Sequence, residues 1–191
     1  LHNHLLMRGT WRREPSRSLF LPADVWLELC VGDDVLRNRN GQFLEFLSPE
    51  GTAACLEALG PDVMSLPFPR AAVLSALAST PLAIAETLLD QALIAGIGNI
   101  AKSEILHRAG IHPSTRSDQL AGNDCSRLGD VIEQVMWECY HNGGRWHCDV
   151  YRRRGRRCLR CGETIQLLRL SPSRRSCYFC PGCQPVPDLF H

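Results

Sequence analysis

The sequence predicts an α+β chain in three parts: a partial β domain over residues 1–60, a helical domain over 61–149 and a zinc ribbon over 150–191. Three observations predict it. Apolar and polar residues alternate between turn signals up to about residue 48, and from 71 to 144 the apolar period becomes helical. The last forty residues carry two Cys-x-x-Cys pairs.

In the first part, strands are expected over 1–11, 24–30 and 42–47, with a polar turn over 12–18 and another at Asn38-Arg39-Asn40-Gly41. A short helix over 49–60 and a proline-rich linker over 61–70 follow. The helical part contains a strong helix over 81–95, with Glu86 early in it, and another over 100–108 that stops at Gly110 with Pro113 beyond. Leu128, Val131, Ile132, Val135, Met136 and Cys139 mark one face of a last helix, ended by Gly143-Gly144.

The turn Ala95-Gly96-Ile97-Gly98-Asn99-Ile100 separates two of these helices. Its glycines permit crowded or left-handed backbone, Asn99 is placed as an N-cap, and a helix start favours an anion. A plain helical corner fits this turn equally well. Lys102, the only lysine of the chain, and the basic residues downstream favour phosphate binding.

In the ribbon, Cys158, Cys161, Cys180 and Cys183 are spaced to hold one structural zinc ion (Zn2+) tetrahedrally, with every position filled by protein. The register is not unique, because Cys177 forms a second Cys-x-x-Cys with Cys180. Pro181-Gly182 makes the 180/183 pair the better knuckle. Cys30, Cys55, Cys125, Cys139 and Cys148 read as small buried hydrophobes.

The formal charge of +1 conceals a division. From Arg145 onward, ten arginines face three acids, giving +7, against −6 for the first 144 residues. A basic module on a mildly acidic body suits docking on nucleic-acid phosphates, and arginine's planar fork suits phosphate in particular. No apolar run reaches the length of a membrane span, so no membrane partner is expected. Metal-type cysteine spacing without a signal peptide points to a reducing cytoplasm, where the partner would be the nucleoid. The chain opens with Leu1 in the middle of an alternating pattern, and reads as the C-terminal portion of something longer.

Several segments together resemble the Fpg/Nei DNA glycosylases, the formamidopyrimidine-DNA glycosylase and endonuclease VIII enzymes of base-excision repair. Leu88-Leu89-Asp90-Gln91, the glycine turn through Asn99, Ser103-Glu104 and Ala109-Gly110-Ile111-His112-Pro113 are similar to the family's helix–two-turn–helix signature. The ribbon from Val150-Tyr151 to Gln184 and the strand His4-Leu5-Leu6-Met7-Arg8-Gly9 resemble family segments in the same order. The match leans toward the endonuclease VIII branch.

The resemblance implies a partial β-sandwich, an all-α helix–two-turn–helix domain and a ribbon. It also implies a monomer that binds damaged double-stranded DNA and flips the damaged nucleotide out of the stack. Asn99 would then hydrogen-bond a phosphate beside the lesion, and Lys102 sits on the same phosphate-binding helix. Arg175 would grip phosphates around the flipped nucleotide, spacing from Cys180 favouring it over Arg174. Met7 would fill the void left by the flipped base, the plain alternative being a core methionine. His4 would touch a phosphate or serve as a structural histidine.

The family's chemistry uses an N-terminal proline followed by glutamate, and a lysine upstream of the histidine–methionine strand. None of these is matched in this sequence, so the 191 residues themselves are expected to have little or no glycosylase or abasic-site lyase activity. The family's Arg-Phe-Gly intercalation loop is not recognisable either; Asn38-Arg39-Asn40-Gly41 and Gln42-Phe43 occupy its general region. A non-catalytic binder of damaged or kinked DNA is the first alternative. An RNA-binding or transcription-associated zinc ribbon is the second.

Overall fold

In the computed structural model of the protein, residues 2–5, 9–14, 23–41 and 43–186 are described. They divide into two compact units, 1–56 and 57–191. The helical segment and the ribbon, read from the sequence as 61–149 and 150–191, therefore form one unit.

The first unit is built from antiparallel strands. β1 (His2–His4) pairs with β5 (Phe43–Glu45). β2 (Thr10–Glu14), β4 (Asp34–Arg39) and β3 (Val25–Val31) form a second sheet in the order β2-β4-β3. β4 is absent from the sequence reading, which takes Asn38 to Gly41 as the hairpin turn. The turn lies earlier, at Gly32 (φ +58) and Asp33, and Asn38 belongs to the strand. Asn38 is tolerated there because both ends of its buried amide find a partner. It accepts from Trp26 Nε1 at 2.7 Å and donates to Asn3 Oδ1 at 2.9 Å. Buried Arg37 is likewise held between Glu14 and Glu28 across the sheet. Met7 lies outside the described residues, and His4 ends β1. α1 (Pro49–Glu57) follows.

The second unit centres on α4 (Asn99–Ala109). Its neighbours are α2 (Arg70–Ala78), α3 (Ile84–Thr87) and α5 (Gly122–His141), and the hairpin of β6 (Gln166–Arg169) and β7 (Ser176–Phe179) completes it. The core joins Val73 and Leu77 of α2, Ile84 and Ala85 of α3, Ala101, Ile105 and Leu106 of α4 and Leu128, Val131, Ile132, Val135 and Met136 of α5; Cys139, expected on the same face, is not among them. The strong helix expected over 81–95 is only the single turn of α3. Asp90 diverts the chain by accepting the Ala92 N–H at 3.0 Å, a local side-chain turn that competes with the helix ladder. The cysteines also differ from expectation: Cys30 and Cys55 are exposed, and Cys125, Cys139 and Cys148 are half-buried. Cys30 lies on a small unit's sheet, and α1, which carries Cys55, buries none of its residues.

Candidate nucleic-acid interface

α4 has two stripes, as the 3.6-residue period dictates. Ala101, Ile105, Leu106 and Ala109 enter the apolar core. Asn99, Lys102, Ser103, Glu104 and His107 are bonded or close to the segment from 149 to 178. Polar groups thus fasten much of the ribbon to the helix, while Cys177 of β7 joins the apolar core. Glu104 accepts the backbone N–H groups of Asp149, Val150 and Tyr151 at 2.8, 3.1 and 2.8 Å. At the far end, Gln184 donates to Ile111 O at 2.8 Å, just past Gly110, which ends α4 in the left-handed region.

The glycine turn is braced by a residue of the motif before it. Gln91 accepts the Gly96 N–H at 2.9 Å and donates to Ile97 O at 3.0 Å. Gly96 has φ +98, which strains any larger residue, and a Cβ there would stand a tight 3.1 Å from Val63 Cγ2. Gly98, not Asn99, is the N-cap; Asn99 is the first helical residue, and no side chain caps the helix. The N–H groups of Asn99, Ile100 and Ala101 open α4 without an intrahelical acceptor. They leave a positive helix end suited to an anion.

Asn99 turns instead to the ribbon. Its Nδ2 donates to Ser176 Oγ at 3.2 Å across 77 positions of sequence. Lys102 is fully buried, donating to Asn99 Oδ1 at 2.8 Å and to Ser176 O at 3.1 Å. Lys102 is therefore not a solvent-facing phosphate contact; it is a bridge between α4 and β7. Burial pushes its pKa down, the Cys177 thiol and Glu86 oppose that, and the nearby Arg175 charge adds to it.

Arg175 precedes Ser176 at the tip of the hairpin and is exposed, with no side-chain hydrogen bond or ion pair to the described residues. Its placement runs through Glu86, whose carboxylate accepts the Ser173 N–H at 2.8 Å and the Ser173 hydroxyl at 2.9 Å. Ser173 Oγ in turn accepts the Arg175 N–H at 3.1 Å. Arg174 adopts φ +52 to close this loop. Asn99 and Lys102 thus meet at Ser176, the residue that follows Arg175; His4 belongs to the other unit, and Met7 lies outside the described residues. Glu86, Gln91, Glu104 and Ser176 were missed as site supports. Glu86 had been read only as a helix residue, and Gln91 and Glu104 only as parts of the family signature.

The thiols of Cys158, Cys161, Cys180 and Cys183 all lie within 4.8 Å of one another. Cys158–Cys183 and Cys161–Cys180 are 3.8 and 3.3 Å apart, near the roughly 3.8 Å edge of a tetrahedron with Zn–S bonds of about 2.3 Å. The four could hold a metal ion. Cys177 is excluded by place: it is buried in the main core, and burial pushes its thiol up. Burial also acts to raise the Cys158 thiol. Hydrogen bonds from the N–H groups of Cys161 and Arg160 and from His107 outweigh it, pulling the pKa down to about 6. His107 Nε2, from α4, lies 3.5 Å from this sulfur.

A glycine turn that opens a buried helix, joined to a hairpin beside four clustered cysteines, defines a helical domain fused to a ribbon that could hold a metal ion. Residues 59–147 match the formamidopyrimidine-DNA glycosylase H2TH domain. A "Formamidopyrimidine-DNA glycosylase" of Chloroflexus aurantiacus is 34% identical over 200 residues, covering 95% of this chain and 71% of that protein. Another, from Roseiflexus sp. strain RS-1, is 31% identical and covers 95% and 72%. The chain is also similar to the crystal structure of the Lactococcus lactis enzyme bound non-covalently to DNA containing an AP site. There the TM-score is 0.83 and the identity 27%, over 96% of this chain and 74% of that one. The chain belongs to the Fpg/Nei family of DNA glycosylases. The relatives named here all carry the formamidopyrimidine name and add no support for the endonuclease VIII branch.

Proposed function

We propose that this chain grips damaged double-stranded DNA as the helical and ribbon portion of a base-excision-repair glycosylase with abasic-site lyase activity, acting as a monomer. The observation that carries the reading is the 3.2 Å contact between Asn99 and Ser176, which puts the start of α4 beside Arg175. With Asn99 Oδ1 and Ser176 O occupied by Lys102, the groups left to a ligand at this junction can donate: three helix-start N–H groups, the second Asn99 amide hydrogen, the Ser176 hydroxyl and the Arg175 guanidinium. Such a cluster suits a phosphodiester bent sharply enough to meet all of them, as at a flipped nucleotide. Arg175 would take two phosphate oxygens bidentately, and Asn99 one. Met7 and His4 remain candidates for the vacated stack and an adjacent phosphate. Zinc is the metal that four thiolates at these separations favour; it would hold the ribbon in shape and supply no chemistry to the reaction.

One observation favours the second reading, a binder without chemistry of its own. Lys102, the only lysine, is buried and engaged, so these 191 residues present no lysine amine to a sugar carbon. The test is fluorescence anisotropy with a duplex carrying a tetrahydrofuran abasic analogue, against the intact duplex, at two salt concentrations. Borohydride trapping on a true abasic site runs in parallel. Preference for the abasic duplex with affinity falling steeply in salt supports the grip. Equal binding of both duplexes sinks it. Covalent trapping by the 191-residue polypeptide overturns the binder reading.

A further inference from the structure

Lys102 is an unusual residue to find inside a helical core. It has no exposed surface, and its only carboxylate influence among the described residues is Glu86. A buried ammonium costs stability unless its hydrogens are used. Its named acceptors are Asn99 Oδ1 at 2.8 Å and Ser176 O at 3.1 Å. Both lie at the mouth of the junction described above.

The chemistry of the amide gives this arrangement a direction. An ammonium has three hydrogens and no lone pair, so the atom of Asn99 that faces it must be the oxygen. Held this way, Asn99 cannot flip, and its Nδ2 must point the other way. One hydrogen of Nδ2 goes to Ser176 Oγ at 3.2 Å. Because that oxygen is accepting, its own hydrogen is free to donate, as is the second Nδ2 hydrogen. Without the ammonium, the amide could present its oxygen outward, where it would repel a phosphate.

We propose that Lys102 is a positioning residue that fixes the Asn99 amide with its donor face toward a phosphate anion, turning Asn99 and Ser176 into a one-sided donor pair. The inference rests on the reading of this junction as a DNA-phosphate site. It assigns Lys102 an indirect electrostatic task that an exposed lysine could not perform. Arginine would serve in part, since it also only donates; methionine would fill the volume and leave the amide unoriented.

The test compares Lys102→Met, Lys102→Arg, Asn99→Ala and the Lys102→Met/Asn99→Ala double variant in the 191-residue chain loaded with zinc. Binding to the tetrahydrofuran duplex and thermal melting are measured for each. Expected is about a tenfold loss for Lys102→Met, matching Asn99→Ala, with the double variant no weaker than Asn99→Ala alone. Lys102→Arg should recover most of the affinity. Melting is read beside binding to separate loss of orientation from loss of fold, because Lys102→Met removes a buried charge and also leaves the Asn99 and Ser176 oxygens unpaired. Parent-like binding by Lys102→Met overturns the proposal, as do losses that multiply in the double variant. If Lys102→Met fails to fold, Lys102→Arg decides: parent-like folding with no recovery of binding overturns it. A parent chain that shows no abasic preference defeats the DNA reading itself, and that outcome is separate from all of these.

Discussion

Glu104→Gln is the perturbation that most directly probes how the ribbon is fastened to α4. The carboxylate receives three N–H groups in a row: Val150 and Tyr151 at Oε1, and Asp149 at Oε2. Glutamine keeps the shape but has one oxygen. If that oxygen stays over Val150 and Tyr151, the new NH2 opposes the Asp149 N–H and leaves a donor unpaired, at about 1–3 kcal/mol. Removing the charge weakens the two surviving bonds by roughly 0.5 kcal/mol each. The total is about 2–4 kcal/mol. With a urea slope of about 2 kcal/mol per molar, the unfolding midpoint should fall by roughly 1–2 M. Far-ultraviolet circular dichroism at saturating zinc reads this directly. Affinity for the abasic duplex should fall with it, because Arg175 is held near Asn99 only while the ribbon stays seated. A midpoint within about 0.3 M of the parent would refute the reasoning, since at a slope of about 2 kcal/mol per molar that is a loss well under 1 kcal/mol.

Two further outcomes follow from the same geometry. Arg175→Lys should weaken binding to the abasic duplex about tenfold, because a point charge replaces a planar fork, while Arg174→Lys changes it by less than about threefold. Parallel anisotropy titrations distinguish the two neighbours. Metal uptake should release protons, because ligating thiols must ionise. Cys158, at about 6, is already a thiolate at pH 7, whereas Cys180 and Cys183 are pushed up, chiefly by burial, and hold their protons. Metal affinity therefore rises with pH above 7 and is lost on acidification. Calorimetry in buffers of different ionisation heat should report at least two protons released at pH 7.

The parts most legible in the sequence were those fixed by short-range rules. The two metal knuckles, the apolar face of α5 and the left-handed stop at Gly110 follow from spacing and glycine alone. β4 was hidden because Asn38 and Asn40 imitate a turn; only the tertiary contacts of Asn38 with Trp26 and Asn3 make it a strand residue. The helix expected over 81–95 was broken by one aspartate, Asp90, acting on its own backbone. At the site, Asn99 and Arg175 were proposed from resemblance, but nothing local revealed that Asn99 contacts Ser176, the residue after Arg175. Lys102 was misplaced for a physical reason: a lysine beside a phosphate-binding turn reads as a surface charge. Its burial depends on β7, more than seventy residues away in sequence.

The central claim is that Asn99 and Arg175 act on one phosphate site. A double-mutant cycle tests it most directly, with Asn99→Ala, Arg175→Ala and the pair measured against the tetrahydrofuran duplex. Each single change should weaken binding about tenfold, and the pair should lose less than the product, a coupling of about 0.5–3 kcal/mol. Losses that simply multiply would contradict the claim, because two independent contacts need no shared junction.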